Sequence, residues 1–428
     1  MPTASKKVIN GWTMYDWANS VYNLVITTTF FPAYYAAVTS TANFPNGIHF
    51  LGHYFVNTEL KNYILALGFL IIALLSPILS SIADYKGNKK QFMRFFCYLG
   101  AASCSILFFF DKNHITLGLL AFMFAGIGFY GSQVFYNSYL PEIATEQDMD
   151  RVSAKGYTMG YIGSVILQLI GFAMVMLMKD TALALTLTFL LVGIWWVGFA
   201  QISFSRLPEG SKNVIDSKKH FLVNGFHELK LVLAEVKKMP VLKKYLASFF
   251  FYSMGVQTVM LCAIDFGIKV LELDDQKLII TAVIIQLVAI AGALLISKTS
   301  DIIGNFKTIT ICVIIWIFIC ISGYFVKSEF QFYILASLVG MIMGGIQSLS
   351  RSTYSKLMPN TKDTASYFSF YDVTEKLSIV IGLFSFGFIE GITHDMRKSL
   401  LVLIVFFIIG LFFLISASLT RNRINSKN

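Results

Sequence analysis

Apolar residues run in twelve long stretches separated by short polar intervals, and this pattern organises the whole chain. In the first half the stretches cover 12–41, 59–83, 91–110, 115–140, 156–178 and 183–205. A polar, lysine-rich interval from Arg206 to Leu242 follows, and the second half holds 243–266, 276–300, 308–326, 330–357, 366–390 and 398–419. Each stretch matches the roughly 20 residues that a helix needs to cross a bilayer. Backbone groups at that depth have no water to bond, and the stretches are too long and too evenly apolar for barrel strands. The pattern predicts an all-α integral membrane protein: two six-helix bundles, 1–205 and 243–428, joined by the linker 206–242.

Basic residues orient the helices. With the N-terminus in the cytoplasm, 25 of the 34 lysines and arginines fall on the cytoplasmic side, eight fall on the other, and Lys376 lies within a helix. Both termini are therefore expected to be cytoplasmic. The first apolar run is too long for a cleavable signal and carries Asp16 and Asn19, so it is expected to remain as a membrane helix. In the linker, Phe221, Phe226, Leu229, Leu233 and Val236 recur at near-helical spacing among Lys218, Lys219, Lys230, Lys237 and Lys238. That arrangement predicts an amphipathic helix on the membrane surface, contacting anionic lipids.

Composition removes other classes. Hydrophobic residues make up 56% of the 428 positions, about 240 residues, and charged residues only 14% against roughly 25% in a soluble protein. A soluble enzyme is excluded. The five cysteines (Cys97, Cys104, Cys262, Cys312, Cys320) are scattered through apolar runs without the spacing of a disulfide framework, zinc site or redox pair. The dipeptide Gly-Lys never occurs, so there is no phosphate-binding loop of an ATP-driven pump. His227-Glu228 lacks the second histidine of a zinc-protease helix, and His49 with His53 has no acidic or cysteine partner nearby. The net charge of +10 marks one membrane face and not a nucleic-acid partner.

The halves repeat each other. Ser80, Asp84, Gly87 and Asn88 follow the second stretch, and Ser297, Asp301, Gly304 and Asn305 follow the eighth, both as Ser-x-x-x-Asp-x-x-Gly-Asn at an offset of 217. Gly126 and Gly344, Tyr136 and Tyr354, and Pro141 and Pro359 match at 218. Two matching six-helix halves are a duplicated bundle, the arrangement that opens a central cavity alternately to each side.

The loop at Asp84 resembles the signature Gly-x-x-x-Asp-Arg-x-Gly-Arg-Arg of the major facilitator superfamily, with Ser80, Tyr85 and Asn88 as departures. Met14–Ser20, Ala83–Tyr85, Val134–Pro141, Gly344–Ser352 and Phe370–Asp372 with Lys376 resemble the vacuole-effluxer-like branch of that superfamily, over nearly the whole chain. The resemblance implies the major facilitator fold and a transport function. The branch is named for fungal proteins that release amino acids from the vacuole; the short loops here look bacterial, which implies an inner-membrane protein. It also implies a gate in which a signature aspartate approaches a helix N-terminus of the other half: Asp84 at the eleventh helix and Asp301 at the fifth, near Ser153 to Gly156. Gly87, Lys90 and Gly304 belong to the same gating loops.

Polar residues inside the stretches are the candidate site, because an ionisable group at the bilayer centre costs on the order of 2.5–3.5 kcal/mol or more. Asp16, Asn19, Asn23 and Thr27 form one stripe on the first helix, flanked by Tyr15 and Tyr22. Either this stripe lines the cavity, or Asp16 is hydrated near the surface. Tyr130, Gln133, Tyr136 and Asn137 share a face of the fourth helix, and Gln347, Arg351 and Tyr354 share one of the tenth, with Arg351 at the repeat position of Gln133. Arg351 either faces inward or snorkels to the headgroups. Asp372 and Lys376 are four apart on the eleventh helix and able to pair. They are a structural ion pair or, with Arg351 and Glu375, a charge network that reorganises during transport. Tyr245, Ser248 and Tyr252 on the seventh helix are further candidates to line the cavity; Asp265 and Glu390 are expected at the outer surface.

An acid in one half and bases in the other fit a small polar, zwitterionic, amino-acid-like solute. The expected function is secondary active transport by alternating access, with Asp16 or Glu375 as the group that couples protons. The rival readings are an exporter or flippase of amphipathic compounds or lipids, and a transporter-like receptor that moves nothing. The expected partners are a small-molecule solute, protons and membrane lipids, with no nucleic acid, cofactor or metal, and a monomeric chain.

Overall fold

A computed structural model describes residues 3–209 and 221–426. Lys218 and Lys219 of the expected linker helix lie outside the described residues, as do the side chains of Phe221, Phe226 and Leu229. The chain is helical almost throughout. Eleven described helices are long and apolar enough to cross a membrane.

The first helical run comes in three consecutive pieces: α1 (Lys6–Val21), a π-helical turn set (Tyr22–Phe30) and α2 (Phe31–Val38). Then come a hairpin of β1 (Ile48–Phe50) and β2 (His53–Phe55), α3 (Asn57–Lys86), α4 (Lys89–Ile106), α5 (Ile115–Ser138) and the short α6 (Leu140–Ile143). Next are α7 (Met149–Leu177), α8 (Thr181–Arg206) and the linker helix α9 (Phe221–Lys238). The remaining spans are α10 (Pro240–Leu271), α11 (Asp275–Ile303), α12 (Asn305–Phe325), α13 (Glu329–Leu357), α14 (Thr364–Thr393) and α15 (Met396–Asn425).

Local chemistry sets the ends. Asp180, Asp274 and Asp395 accept backbone N–H groups at the starts of α8, α11 and α15, and Ser328 with Gln331 forms a reciprocal capping box at α13, which satisfies donors that the helix leaves open. Gly87 ends α3 at φ +65°, a left-handed cap that a side chain disfavours. The hairpin was not foreseen; it pairs His49 with Tyr54 and Phe50 with His53, and its turn residues Leu51 and Gly52 both take positive φ, as the tightest hairpin turn requires.

The chain forms two compact units. One holds Ser5–Asn137 and Met159–Phe221; the other holds Ser138–Thr158 and the chain from Leu222 onward, with the short tail ahead of Ser5. In the first, α1 packs on α8 and α4 on α8, around fully buried Trp12, Tyr15, Tyr22 and Trp196. In the second, α11 lies along α13 and α10 along α15, with Trp316 stacked on Phe407 at 5.7 Å. Close approach uses small residues: a Cβ on Gly340 would stand 2.3 Å from the Ile285 carbonyl oxygen, and one on Gly344 2.4 Å from that of Ala289. Outward faces carry exposed Phe384, Phe388 and Phe412, the surface that hydrocarbon covers. On α9, Val232 and Val236 are buried while Leu233 is exposed.

Candidate functional site

The polar stripe of α1 is assembled by aromatic packing. Asp16 is 4% exposed, and its Oδ2 accepts a 2.6 Å bond from the Tyr136 hydroxyl of α5. Tyr136 is itself fixed: the Trp12 indole stacks on it at 4.5 Å and donates through Nε1 to the Tyr136 backbone oxygen at 2.9 Å. A phenol donating to a carboxylate makes a charge-assisted bond, about twice as strong as a neutral one. Asn19, one turn on, is fully buried, and neither of its amide atoms has a hydrogen-bond partner among the described residues. Asn23 is half-buried, as are Gln133 and Asn137 on α5. Tyr22 is a packing residue in the bundle core, against Phe129 at 5.4 Å and Trp196 at 6.1 Å.

Beyond Asn19 the helix changes register. Over Tyr22–Phe30 it is π-helical, an arrangement that is rare and frequently found at functional sites. The Thr28 and Thr29 hydroxyls both donate to the Leu24 carbonyl at 2.9 Å, and Gln168 reaches Thr29 at 3.4 Å. Side-chain hydroxyls that capture a backbone carbonyl offer it an alternative to the ordinary ladder.

In the other unit, α14 carries a compact charge cluster. Lys376 is 3% exposed; its Nζ donates to Asp372 Oδ1 at 3.0 Å and to Glu375 Oε2 at 3.3 Å. Gln257 of α10 donates to Glu375 Oε1 at 2.9 Å. Asp372 Oδ2 has no partner among the described residues. The expected pairing of Asp372 with Lys376 is present. Glu375 takes Gln257 and Lys376 as its partners.

Arg351 is 2% exposed and engages the first turns of α7. Its Nε donates to Ser153 Oγ and its Nη2 to the Ser153 carbonyl, both at 2.9 Å, and its guanidinium lies 4.4 Å over the Tyr157 ring. The Ser153 hydroxyl donates in turn to the Ser348 carbonyl at 2.7 Å. One turn earlier, Asp150 accepts from Lys356 Nζ at 2.6 Å, Asn305 Nδ2 at 2.9 Å and the Ser300 hydroxyl at 3.1 Å. Asn305 also donates to Thr353 and accepts from Lys356. Residues 150, 153 and 157 share one face of α7, so one helical stripe meets the end of α13 and the α11–α12 turn. An aspartate in the first turn is also favoured by the helix dipole.

This geometry corrects the expected gate. Asn305, and not Asp301, meets the start of α7; Asp301 and Gly304 are exposed. The carboxylate of the contact comes from the opposite partner, Asp150, which the hydropathy pattern had assigned to a loop. Lys90 is buried, bonding the Leu207 carbonyl at 2.8 Å and Glu209 at 2.9 Å, and so ties the start of α4 to the end of α8. At the start of α14, Thr364 donates to Glu142 at 2.8 Å. Asp84 is buried in the other unit.

The remaining candidates bond within their bundle. Tyr252 shares a hydrogen bond with Ser350 Oγ at 2.8 Å, Tyr245 donates to the Ser350 carbonyl at 2.9 Å, Ser248 to that of Gly410 at 2.7 Å, and Gln347 contacts the Met260 sulfur at 3.4 Å. At the opposite end of α14 Glu390 pairs with Lys269 at 2.9 Å. Trp12, Asp150, Asn305 and Gln257 were missed as site residues. Asn305 alone had a signal, its place in the repeated Asp-x-x-Gly-Asn.

Known proteins resemble this chain in sequence and in fold. A family model described as "Vacuole effluxer Atg22 like" matches residues 4–427. The chain is 32% identical to the uncharacterized MFS-type transporter YxiO of Bacillus subtilis, over 94% of this chain and 92% of that one. It is 24% identical to Autophagy-related protein 22 of Yarrowia lipolytica, over 86% and 77% of the two chains. Among solved structures it is similar to the major facilitator transporter FucP in the outward conformation, with a TM-score of 0.70, 13% identity and coverage of 96% and 97%. It is likewise similar to the human organic anion transporter MFSD10, with a TM-score of 0.73, 9% identity and coverage of 96% and 99%. At such identities the structural likeness concerns the fold.

Proposed function

From the premise that the chain belongs to the Atg22-like vacuole effluxer family, within the major facilitator superfamily, we propose that it is a secondary active transporter of a small polar, zwitterionic solute of the amino-acid class. Alternating access in a bacterial inner membrane is the expected mode. In this reading the three-piece run Lys6–Val38 is the twelfth span beside the eleven described, and both termini are cytoplasmic, which the excess of basic residues supports. Residues 1–205 and 243–428 are then the two repeats, and 206–242 is the linker between them.

The observation that carries the reading is the pair Asp16 and Asn19. A buried carboxylate and a buried amide with both polar atoms unpartnered sit one turn apart on a membrane helix. Burying the Asn19 amide unmatched costs about 1–3 kcal/mol, which a solute's polar groups offset beside the Asp16 carboxylate. Tyr136 and Trp12 hold Asp16 in position for this. The stripe Asp150–Ser153–Tyr157 against Lys356, Asn305 and Arg351 is assigned to the cytoplasmic gate.

Thermal stabilisation of the purified chain by amino acids, short peptides, sugars, nucleosides and amphipathic compounds tests the reading, since a ligand of the folded state raises apparent stability by mass action. Stabilisation by an amino acid in the parent, lost in Asp16→Asn, is expected. Stabilisation by amphipathic compounds alone, equal in parent and variant, would establish the exporter reading instead. One feature favours that rival: a cavity of about 60 Å³ lined by Val259, Cys262, Phe266, Cys320, Phe332 and Val339, among others, with almost no polar surface.

A further inference from the structure

Three ionisable side chains meet deep within α14, and their charges do not cancel. Lys376 stands twelve residues from Thr364, about 18 Å along the helix axis, well inside a hydrocarbon layer of about 30 Å. Its single ammonium serves two carboxylates, Asp372 and Glu375. Among the described residues the helices packed on it, α10 and α15, and α13 beside them add no cation to this cluster. From α10 come the neutral Gln257 amide, bonded to Glu375, and Tyr252 and Tyr245, bonded to Ser350. From α14 itself comes Tyr371, stacked on Phe249 at 4.2 Å. On α13, Arg351 engages Ser153 and Tyr157, and the Tyr354 hydroxyl donates to the Tyr367 carbonyl. Between Ser399 and Leu419, α15 carries no ionisable residue.

The cluster is also short of a donor. Of its four carboxylate oxygens, Asp372 Oδ1 and Glu375 Oε2 take the ammonium and Glu375 Oε1 takes Gln257, while Asp372 Oδ2, on a residue 6% exposed, takes nothing among the described residues. One surplus negative charge at this depth costs several kcal/mol unless a cation joins it.

We propose that this triad binds one transferable proton, and that Glu375 is the carboxylate that carries it. Hydronium delivers the proton to the Glu375 carboxylate and leaves as water; the acid that forms stands beside a neutral Asp372–Lys376 pair. Glu375 is the reachable member, its side chain 24% exposed against 8% for Asp372. It is also the more weakly held by Lys376, at 3.3 Å against 3.0 Å. Gln257 is suited to both states, because an amide donates to a carboxylate and, turned over, accepts from a carboxylic acid. That this proton couples to solute movement rests on the transport reading; that it binds does not.

Infrared difference spectra of the full chain in lipid nanodiscs, titrated with pH, test the binding with protons as the probe. A carboxylic-acid C=O band that titrates in the parent should be absent in Glu375→Gln and present in Asp16→Asn. Lys376→Met, which leaves two carboxylates with no ammonium, should gain a second band. A band that survives Glu375→Gln, or no titrating band in the parent, overturns the assignment. Coupling is tested in pyranine-loaded liposomes with a mixture of amino acids as the probe: protons moved per solute should fall to background in Glu375→Gln, and an unchanged ratio overturns the coupling role. Failure of the parent to move any amino acid overturns the transport reading and the coupling with it, while the infrared band still decides whether the triad binds a proton.

Discussion

Asp16 illustrates what a sequence shows of a residue and what it conceals. Its stripe with Asn19, Asn23 and Thr27 is legible because helical spacing puts residues three and four apart on one face. Its bond to Tyr136, 120 positions away, has no such local rule, nor does the Trp12 indole that fixes the phenol. Both are set by how α1 and α5 pack. A consequence follows for Tyr136→Phe. The ring stack on Trp12 is retained, but the donor to a buried carboxylate is lost, a class of bond worth about 1.5–3 kcal/mol. The variant should melt earlier than the parent, and Asp16→Asn should remove most of that difference in a double-mutant comparison. Equal melting of parent and Tyr136→Phe would show that the bond adds nothing to the folded state.

Elements were easier to read than residues, within limits that have physical causes. The apolar runs mark the spans because hydrocarbon admits little else, and the structure places helices over every one of them. Ends were less legible. α7 begins at Met149, ahead of the apolar run at 156; Asp150 and Ser153 read as a polar loop until their partners on α13 are known. The π-helical stretch in the first span has no hydropathy signature at all; only the three consecutive threonines, two of which cap the Leu24 carbonyl, hint at it. The glycines of α13 are sites of close approach, and the separations make that quantitative. Gly344→Ala would put a methyl group 2.4 Å from the backbone of Ala289, a neighbour that moves only if α11 moves. Overpacking of this kind costs about 1–3 kcal/mol. Gly387→Ala, with open space at its Cβ on α14, is the control expected to melt like the parent. Similar melting of both variants would mean that α11 and α13 separate at no cost.

At the scale of the whole molecule the repeat predicted a symmetric gate, and the structure departs from that symmetry on one side. The second-half signature was expected to bring Asp301 to the start of the fifth span. Instead its asparagine, Asn305, donates to an acid supplied by that span, Asp150, with Lys356 completing the pair. Swapping the side that supplies the carboxylate keeps the charge at a helix N-terminus, where the dipole favours it, and so preserves the physics while breaking the sequence pattern. The gate assigned to this contact carries the last prediction. Removing one partner of a buried ion pair costs about 3–5 kcal/mol, because the other charge is left uncompensated. Asp150→Asn should therefore open the stripe, and a cysteine placed at Ser348, 1% exposed beside Ser153, should react several-fold faster with a water-soluble maleimide in an otherwise cysteine-free chain. Lys356→Gln should do the same, and the two together should add little, since groups in one network are not independent. Arg351→Gln attacks the second contact on the stripe and should add to either. A labelling rate unchanged in all three would mean that these bonds stabilise the bundle without governing access.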